Sequence, residues 1–383
     1  MVAAVRDGQS LRAVARQFGV GIATVVFWVQ RAKGRRLDRV DWADRSCAPH
    51  RTRRTDTSLE DLVLQIRREL ADSDLGAVGA AAIRQELLQR GSSPLPSVRT
   101  INRILGRRGV LDSRQRTRRP PPPRGWYLPD LAGAQVELDS FDIVEGLVIK
   151  DGPQVEVLNG VSLHGGLVAS WPVEAPVTTA RTLAALTEHW QSVGLPAYAQ
   201  FDNDPIFQGT HRWPDALGRL IRFCLSLGVV PVFVPPAEMG FQAMIESYNG
   251  WWQSRVWSRF QHPDLDALQQ RSARHVQALR RHRAARMEAA PPRRSFPVGW
   301  KFQPRKRPSG RLVYLRRSNG QSQVTVLGQT WSLGEVWPHR LVRAEVDLDN
   351  DKICFSRLRR RQPDSQPQIL EVDYRLPNRG FQE

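Results

Sequence analysis

VPPAEMGFQAMIESYN, residues 234–249, runs from the end of an apolar strand through a loop into a helix. The strand reads VVPVFVPP (229–236), and its closing prolines stop it. Gly240 supplies a flexible turn. QAMIESYNGWWQSRVWSRF (242–260) then places Ile245, Tyr248, Trp252, Val256 and Phe260 three or four residues apart, the spacing of a half-buried helix. Glu246, Asn249 and Gln253 line up beside that stripe, so Glu246 can reach a sheet edge instead of bulk water. Glu238 lies in the loop between Pro236 and Gly240, where no regular element holds its carboxylate.

Working back from this stretch, strand and helix patterns alternate. AQVELDSFDIV (134–144), PQVEVLNGVSL (153–163) and GLVASWPVEA (166–175) are strand-like, with glycine-containing turns between them. TTARTLAALTEHWQSVG (178–194) has helical periodicity and closes on Gly194. AYAQFDND (197–204) is a short strand, and DALGRLIRFCLSLG (215–228) a helix with Cys224 on its apolar face. The order βββαβαβα over 131–262 predicts an α/β sheet whose first three strands form an antiparallel meander.

Further out, residues 8–33 read helix, glycine turn, helix. Leu11, Val14, Ala15 and Phe18 share one face, Gly19 turns the chain, and Val25, Trp28 and Val29 resume the apolar face. A helix-turn-helix over 1–36 would present Ile22, Thr24, Phe27, Gln30 and Arg31 to a DNA major groove. Any helical hairpin shows the same pattern, but the charge favours DNA. Residues 59–110 repeat the idea as a second helix-turn-helix or winged-helix-like unit. The exposed face of its last helix carries Arg99, Arg103, Arg107 and Arg108. SRQRTRRPPPPRG (113–125), within a 111–130 linker, is stiff and basic; its Arg116, Arg118 and Arg119 could track a phosphate backbone. A basic helical extension spans 263–290. Short strands over 300–375 suggest a small barrel, with Arg316, Arg317 and Arg359 to Arg361 as candidate DNA or protomer contacts.

The net charge is +18, yet residues 134–250 hold 13 acidic against 5 basic residues, or −8, leaving +26 elsewhere. Basic flanks around an acidic middle suit an enzyme that neutralises phosphates outside and holds divalent cations inside. No apolar run is long enough to span a bilayer, and no secretory signal is expected. Three dispersed cysteines argue for a reducing compartment and against a zinc ribbon.

Three acids stand out by position: Asp139 in the first strand, Asp202 at the end of the fourth, and Glu246 in the first turns of the long helix. Brought together, they would repel unless cations neutralise them. Two magnesium ions roughly 3.5–4 Å apart would do so and would suit an in-line phosphoryl displacement. The element order with Asp139, "FDND" and "IESYN" resembles the catalytic core of the DDE transposase and retroviral integrase superfamily, which has a ribonuclease H-like fold. The flanking regions resemble bacterial insertion-sequence transposases of that group. Pro236, Gly240, Ile245, Glu246 and Asn249 match the family's strand end, loop, hydrophobic residue, catalytic Glu and following Asn.

The resemblance implies a multidomain chain: all-α helix-turn-helix units, an α/β core and a terminal barrel. It implies a transposase that cuts and joins double-stranded DNA at its element's ends. Asp139, Asp202 and Glu246 would be catalytic metal ligands for two Mg2+, with Mn2+ able to substitute; Asn249 and Arg255 would contact DNA. It further implies a homo-oligomer on DNA in the bacterial cytoplasm, at the nucleoid, with no membrane partner. Asp204 and Gly250 depart from the family pattern, where glycine and lysine are usual. They motivate an alternative, a defective copy acting as a DNA-binding regulator.

Overall fold

The computed structural model describes residues 1–44, 55–111, 124–209, 214–238, 240–334 and 338–377. The chain divides into two compact units, 1–56 and 57–383. In the first, helices α1 (Val2–Arg6), α2 (Leu11–Phe18) and α3 (Ile22–Ala32) close over small apolar clusters. Ser10 caps α2, its hydroxyl accepting from the Ala13 N–H at 3.2 Å. Gly19 follows with a left-handed φ of 63°, which glycine adopts at no steric cost. The chain bends by 113° from α2 to α3, with Val14, Ala15 and Val25 buried in the angle. Among the described residues no single helix is long and apolar enough to cross a membrane.

The second unit opens with α4 (Thr57–Asp72), α5 (Ala80–Gln89) and α6 (Val98–Arg107), then a short α7 (Pro129–Ala132). The expected meander follows as β1 (Leu138–Val148), β2 (Gln154–Ser162) and β3 (Val168–Glu174). Next come α8 (Thr179–Val193), β4 (Tyr198–Phe201), α9 (Pro205–Gln208), α10 (Arg219–Ser226), β5 (Val230–Phe233) and α11 (Ala243–Trp252). A π-helical turn, Gln253–Trp257, carries α11 on towards α12 (Leu265–His282) and α13 (Ala284–Glu288). β1 pairs antiparallel with β2 and parallel with β4, and β4 parallel with β5.

Two expected domain boundaries are absent. The region 300–375 is not a separate barrel. It forms β6 (Arg311–Arg317), the hairpin β7 (Gln323–Val326) and β8 (Gln329–Ser332), then β9 (Leu341–Asp347), β10 (Lys352–Arg357) and β11 (Gln368–Asp373). Apart from the hairpin these strands extend the central sheet, whose order is β11-β10-β9-β6-β5-β4-β1-β2-β3. β6 pairs parallel with β5, Val313 beside Val232 and Tyr314 beside Phe233, and the last two rings stack with centroids 5.2 Å apart. Leu312 to Leu315 are all buried; an uninterrupted apolar run of that kind marks a strand covered on both faces. Deleting residues 311–383 is therefore expected to bare the β5 edge and abolish cooperative folding. A 1–310 chain that melted as sharply and as high as the full chain by circular dichroism would refute the fused sheet.

Nor do residues 59–110 stand apart. Val63, Ile66, Ile83, Leu87, Ile101 and Ile104 share one buried cluster with Val144 and Val157 of the sheet and with Ile245, Tyr248 and Trp252 of α11. The basic extension is also docked: α12 lies on β3, Gln269 donating to the Pro172 carbonyl at 2.9 Å. Arg280, Arg283 and Arg286 donate to carbonyls of Val168, Gly166 and His164. These arginines fasten α12 and α13 to the β2–β3 turn. The predicted linker is partly core, since Trp126, Tyr127 and Leu128 are buried.

Candidate active site

Side chains alternate faces along β1, so Asp139 and Asp142, three residues apart, point to opposite sides of the sheet. Asp139 faces α8. It is buried, accepts from Trp190 Nε1 at 3.0 Å, and is gripped by both terminal nitrogens of Arg293, one at 3.0 Å. Burial raises its pKa while Arg293 and Trp190 oppose that rise. Phe141, on the same face, stacks on Phe201 and meets Trp190 edge-on. The expectation that Asp139 joins Asp202 and Glu246 is thus corrected: its carboxylate is on the wrong face and already engaged.

Asp142 faces α11. The β1–β4 register pairs Leu138, Asp139 and Ser140 with Tyr198, Ala199 and Gln200. Continued two residues, it sets Asp142 beside Asp202, which immediately follows β4. Adjacent strands lie ~4.8 Å apart, so these carboxylates are neighbours. The Asp142 carboxyl is pushed up to about 6, first by burial, then by the charges of Asp202 and Glu246. Asp202 is raised too, by burial and by Asp204, although the Asp204 N–H donates to it at 3.0 Å. Glu246 is exposed in the first turn of α11. Among the described residues, no three His, Cys, Asp or Glu side chains already form a group able to hold a metal ion.

A polar network positions the pair. Asn249 Nδ2 donates to Asp142 at 2.7 Å, and its Oδ1 accepts from Asn159 Nδ2 at 2.9 Å. Asn159, opposite Asp142 on β2 and fully buried, accepts from the Ser170 hydroxyl, which bonds Tyr248 at 2.7 Å. Asn249 is therefore occupied on both sides of its amide and orients Asp142; it is not a free DNA contact. It lies three residues after Glu246 on the helix, so the side chain that fixes Asp142 and the third acid share one face of α11.

The loop opening this helix is pinned beside Asp202. Asn203 Nδ2 donates to the Val234 carbonyl at 2.8 Å, as does Arg316 at 3.2 Å. Gln200 Nε2 donates to the Phe241 carbonyl at 3.1 Å and is itself bonded by Tyr127. Glu238, in mid-loop, is held by an ion pair with Arg317, which keeps its carboxyl below the usual range. A partner from β6 thus fixes Glu238 after all, and away from the acids. Asp204 caps α9, accepting from the Ile206 N–H at 2.7 Å.

The other predicted contacts divide. Thr24, Phe27 and Gln30 are exposed on α3, but Arg31 is packed, its side chain only 7% exposed, bonded to Asp41 and the Ala43 carbonyl and lying over the Trp28 ring. Arg99 and Arg103 are exposed on α6. Arg107 and Arg108 are both paired with Glu60. Arg255 is half-buried, its stem against Gly76, and burial lowers its pKa. Arg116, Arg118 and Arg119 lie outside the described residues.

No protein-family model matches the sequence, and no curated protein matches it. Solved structures show a partial likeness to this chain. The catalytic core domain of BIV integrase is 14% identical with a TM-score of 0.27, over 37% of this chain and 82% of that one. The simian T-cell lymphotropic virus intasome is 14% identical with a TM-score of 0.36, over 70% and 88%. The HTLV-2 integrase catalytic core domain in complex with magnesium is 18% identical with a TM-score of 0.24, over 30% and 67%. These structural neighbours are retroviral integrases at low identity.

Proposed function

We propose that this chain is a DDE-type transposase or integrase that cuts and joins double-stranded DNA, with Asp142, Asp202 and Glu246 as its acids. One observation carries the reading. The register of β1 against β4 sets Asp142 beside Asp202, and Asn249, one turn after Glu246 on α11, donates to Asp142 at 2.7 Å, so acids from β1, the end of β4 and α11 converge. They do so where parallel strands end, the usual place for a site in an open α/β sheet. The mixed sheet, with its β3-β2-β1-β4-β5 run, supports the ribonuclease H-like reading.

The donor set fits magnesium: three carboxylates, all hard oxygen donors, whose mutual repulsion a cation relieves. Asp142, Asp202 and Glu246 would hold it, and when bound it supplies charge neutralisation and polarisation at the phosphodiester under attack. The chain's own groups prepare this. Asn249 aims Asp142, the Asp204 N–H steadies Asp202, and the pinned loop delivers α11 to the end of β4. Asp204, the departure from the family pattern, caps a helix and leaves the acids in place. In the N-terminal unit, α2 and α3 would act as a helix-turn-helix that reads DNA through Thr24, Phe27 and Gln30. A homo-oligomer would hold two DNA ends together in the cytoplasm.

The test is magnesium-dependent cleavage and joining of duplex oligonucleotides carrying the element's ends. Asp202→Asn and Glu246→Gln are each expected to lower both steps by about 10³-fold, the several kcal/mol that a metal site contributes. Undiminished activity in either variant rejects the assignment.

A further inference from the structure

Beside the loop that leads to α11 lies an open groove of 550 Å3, and no acidic residue is among its described lining residues. Arg317 at the end of β6, Arg357 at the end of β10, and Arg359, Arg360 and Arg361 in the following turn all line it. Arg360 and Arg361 are exposed. Only an anion can balance such a surface, and the structure supplies one from the side. Glu238 reaches in from the active-site loop, bonds Arg317, and feels the charge of Arg360 as well. The Arg360 guanidinium stands 3.6 Å from where a Cβ on Gly240 would lie, so groove and loop are in contact. A carboxylate bonded to one guanidinium and near the charge of a second occupies the position that suits a phosphate oxygen. The groove also borders the site: Arg317, which lines it, lines a second cavity together with Asn203, the residue after Asp202.

We propose that this groove binds the sugar-phosphate backbone of DNA leading to or from the acids, and that Glu238 is an internal stand-in anion which a DNA phosphate displaces. The inference rests on the DNA-processing reading and adds a path for the strand. It also gives the loop a coupling: displacing Glu238 from Arg317 frees the middle of the segment that carries α11. Groove occupancy and the placement of Glu246 are thereby linked. A duplex is favoured over an acidic protein because six arginines and no carboxylate are among the groove's described lining residues, and a DNA backbone offers a phosphate at every step.

The experiment is duplex binding by the full chain in EDTA, read by fluorescence anisotropy across a salt series, so that chemistry plays no part. Arg360→Ala combined with Arg361→Ala is expected to weaken binding about tenfold. It should also flatten the plot of log affinity against log salt by about 1.8, the effect of two lost phosphate contacts. Glu238→Gln removes the competing anion and is expected to tighten binding several-fold, a gain that misfolding cannot produce. Unchanged affinity and slope in the arginine double variant, or weaker binding by Glu238→Gln, would overturn the proposal. So would displacement of the labelled duplex by polyglutamate or by duplex RNA at lower concentration than by unlabelled DNA. Asp202→Asn, measured alongside, should still bind duplex yet fail to cleave it. Failure of the groove is thus separated from failure of the catalytic reading, and a wild-type chain that bound no duplex would sink both.

Discussion

Asp142→Asn is expected to abolish DNA cleavage while making the protein more stable at neutral pH. The chemical half follows from removing one of three anionic oxygen donors, a loss of about 10³-fold or more. The stability half follows from the sign of the shift. The Asp142 carboxyl sits near 6 in the folded chain, above its ordinary 3.8, so the folded state holds this proton more tightly than the unfolded state. Folding stability therefore falls as pH rises from about 4 to about 6 and stays reduced above that, by on the order of 1–3 kcal/mol. Asparagine carries no charge to repel Asp202 and Glu246, and its amide oxygen still accepts the Asn249 bond. Melting should rise by a few degrees at pH 7.5, and the gap from wild type should close towards pH 4. Retained cleavage, or a lower melting point at pH 7.5, would show that Asp142 is not the acid sought.

Asp139→Ala should do the opposite. Its carboxylate is 2% exposed and Arg293 14% exposed, so truncation leaves a buried guanidinium without its partner. Loss of one member of a buried pair typically costs about 3–5 kcal/mol. Trp190 Nε1 loses its acceptor as well. The protein is expected to melt far lower, by urea or heat, and its activity should fall only in proportion to the unfolded fraction. An Asp139→Ala chain that melts normally but cannot cut DNA would restore the original choice of acid. The pair of variants thus separates a structural aspartate from a reacting one, three residues apart on one strand.

That distinction was not legible in the sequence, for a physical reason. β1 is covered on both faces, by α8 and by α11, so polarity does not alternate in a way that marks the face towards the site. The choice depends on the register of β1 against β4, a contact between residues about sixty apart that no local pattern encodes. What local chemistry does encode was readable: the element order, the αL turn at Gly19 and the helix bearing Glu246. The terminal strands were legible as strands but not as part of this sheet. LVYL (312–315) reads equally as a barrel wall or a central strand, and only the bare edge of β5 decides between them. Arginines misled in the same way. Arg31, Arg107 and Arg255 look like a DNA-binding set in one dimension, yet Arg31 and Arg255 are packed inward and Arg107, though exposed, is paired with Glu60.

The continuation of the sheet from β5 into β6 also bears on biosynthesis. β6 emerges from the ribosome only after the whole stretch from α11 to residue 310, and until then the half-made sheet has an unpaired edge beside its acids. A nascent or prematurely terminated chain is thus incompletely folded and a good target for proteases.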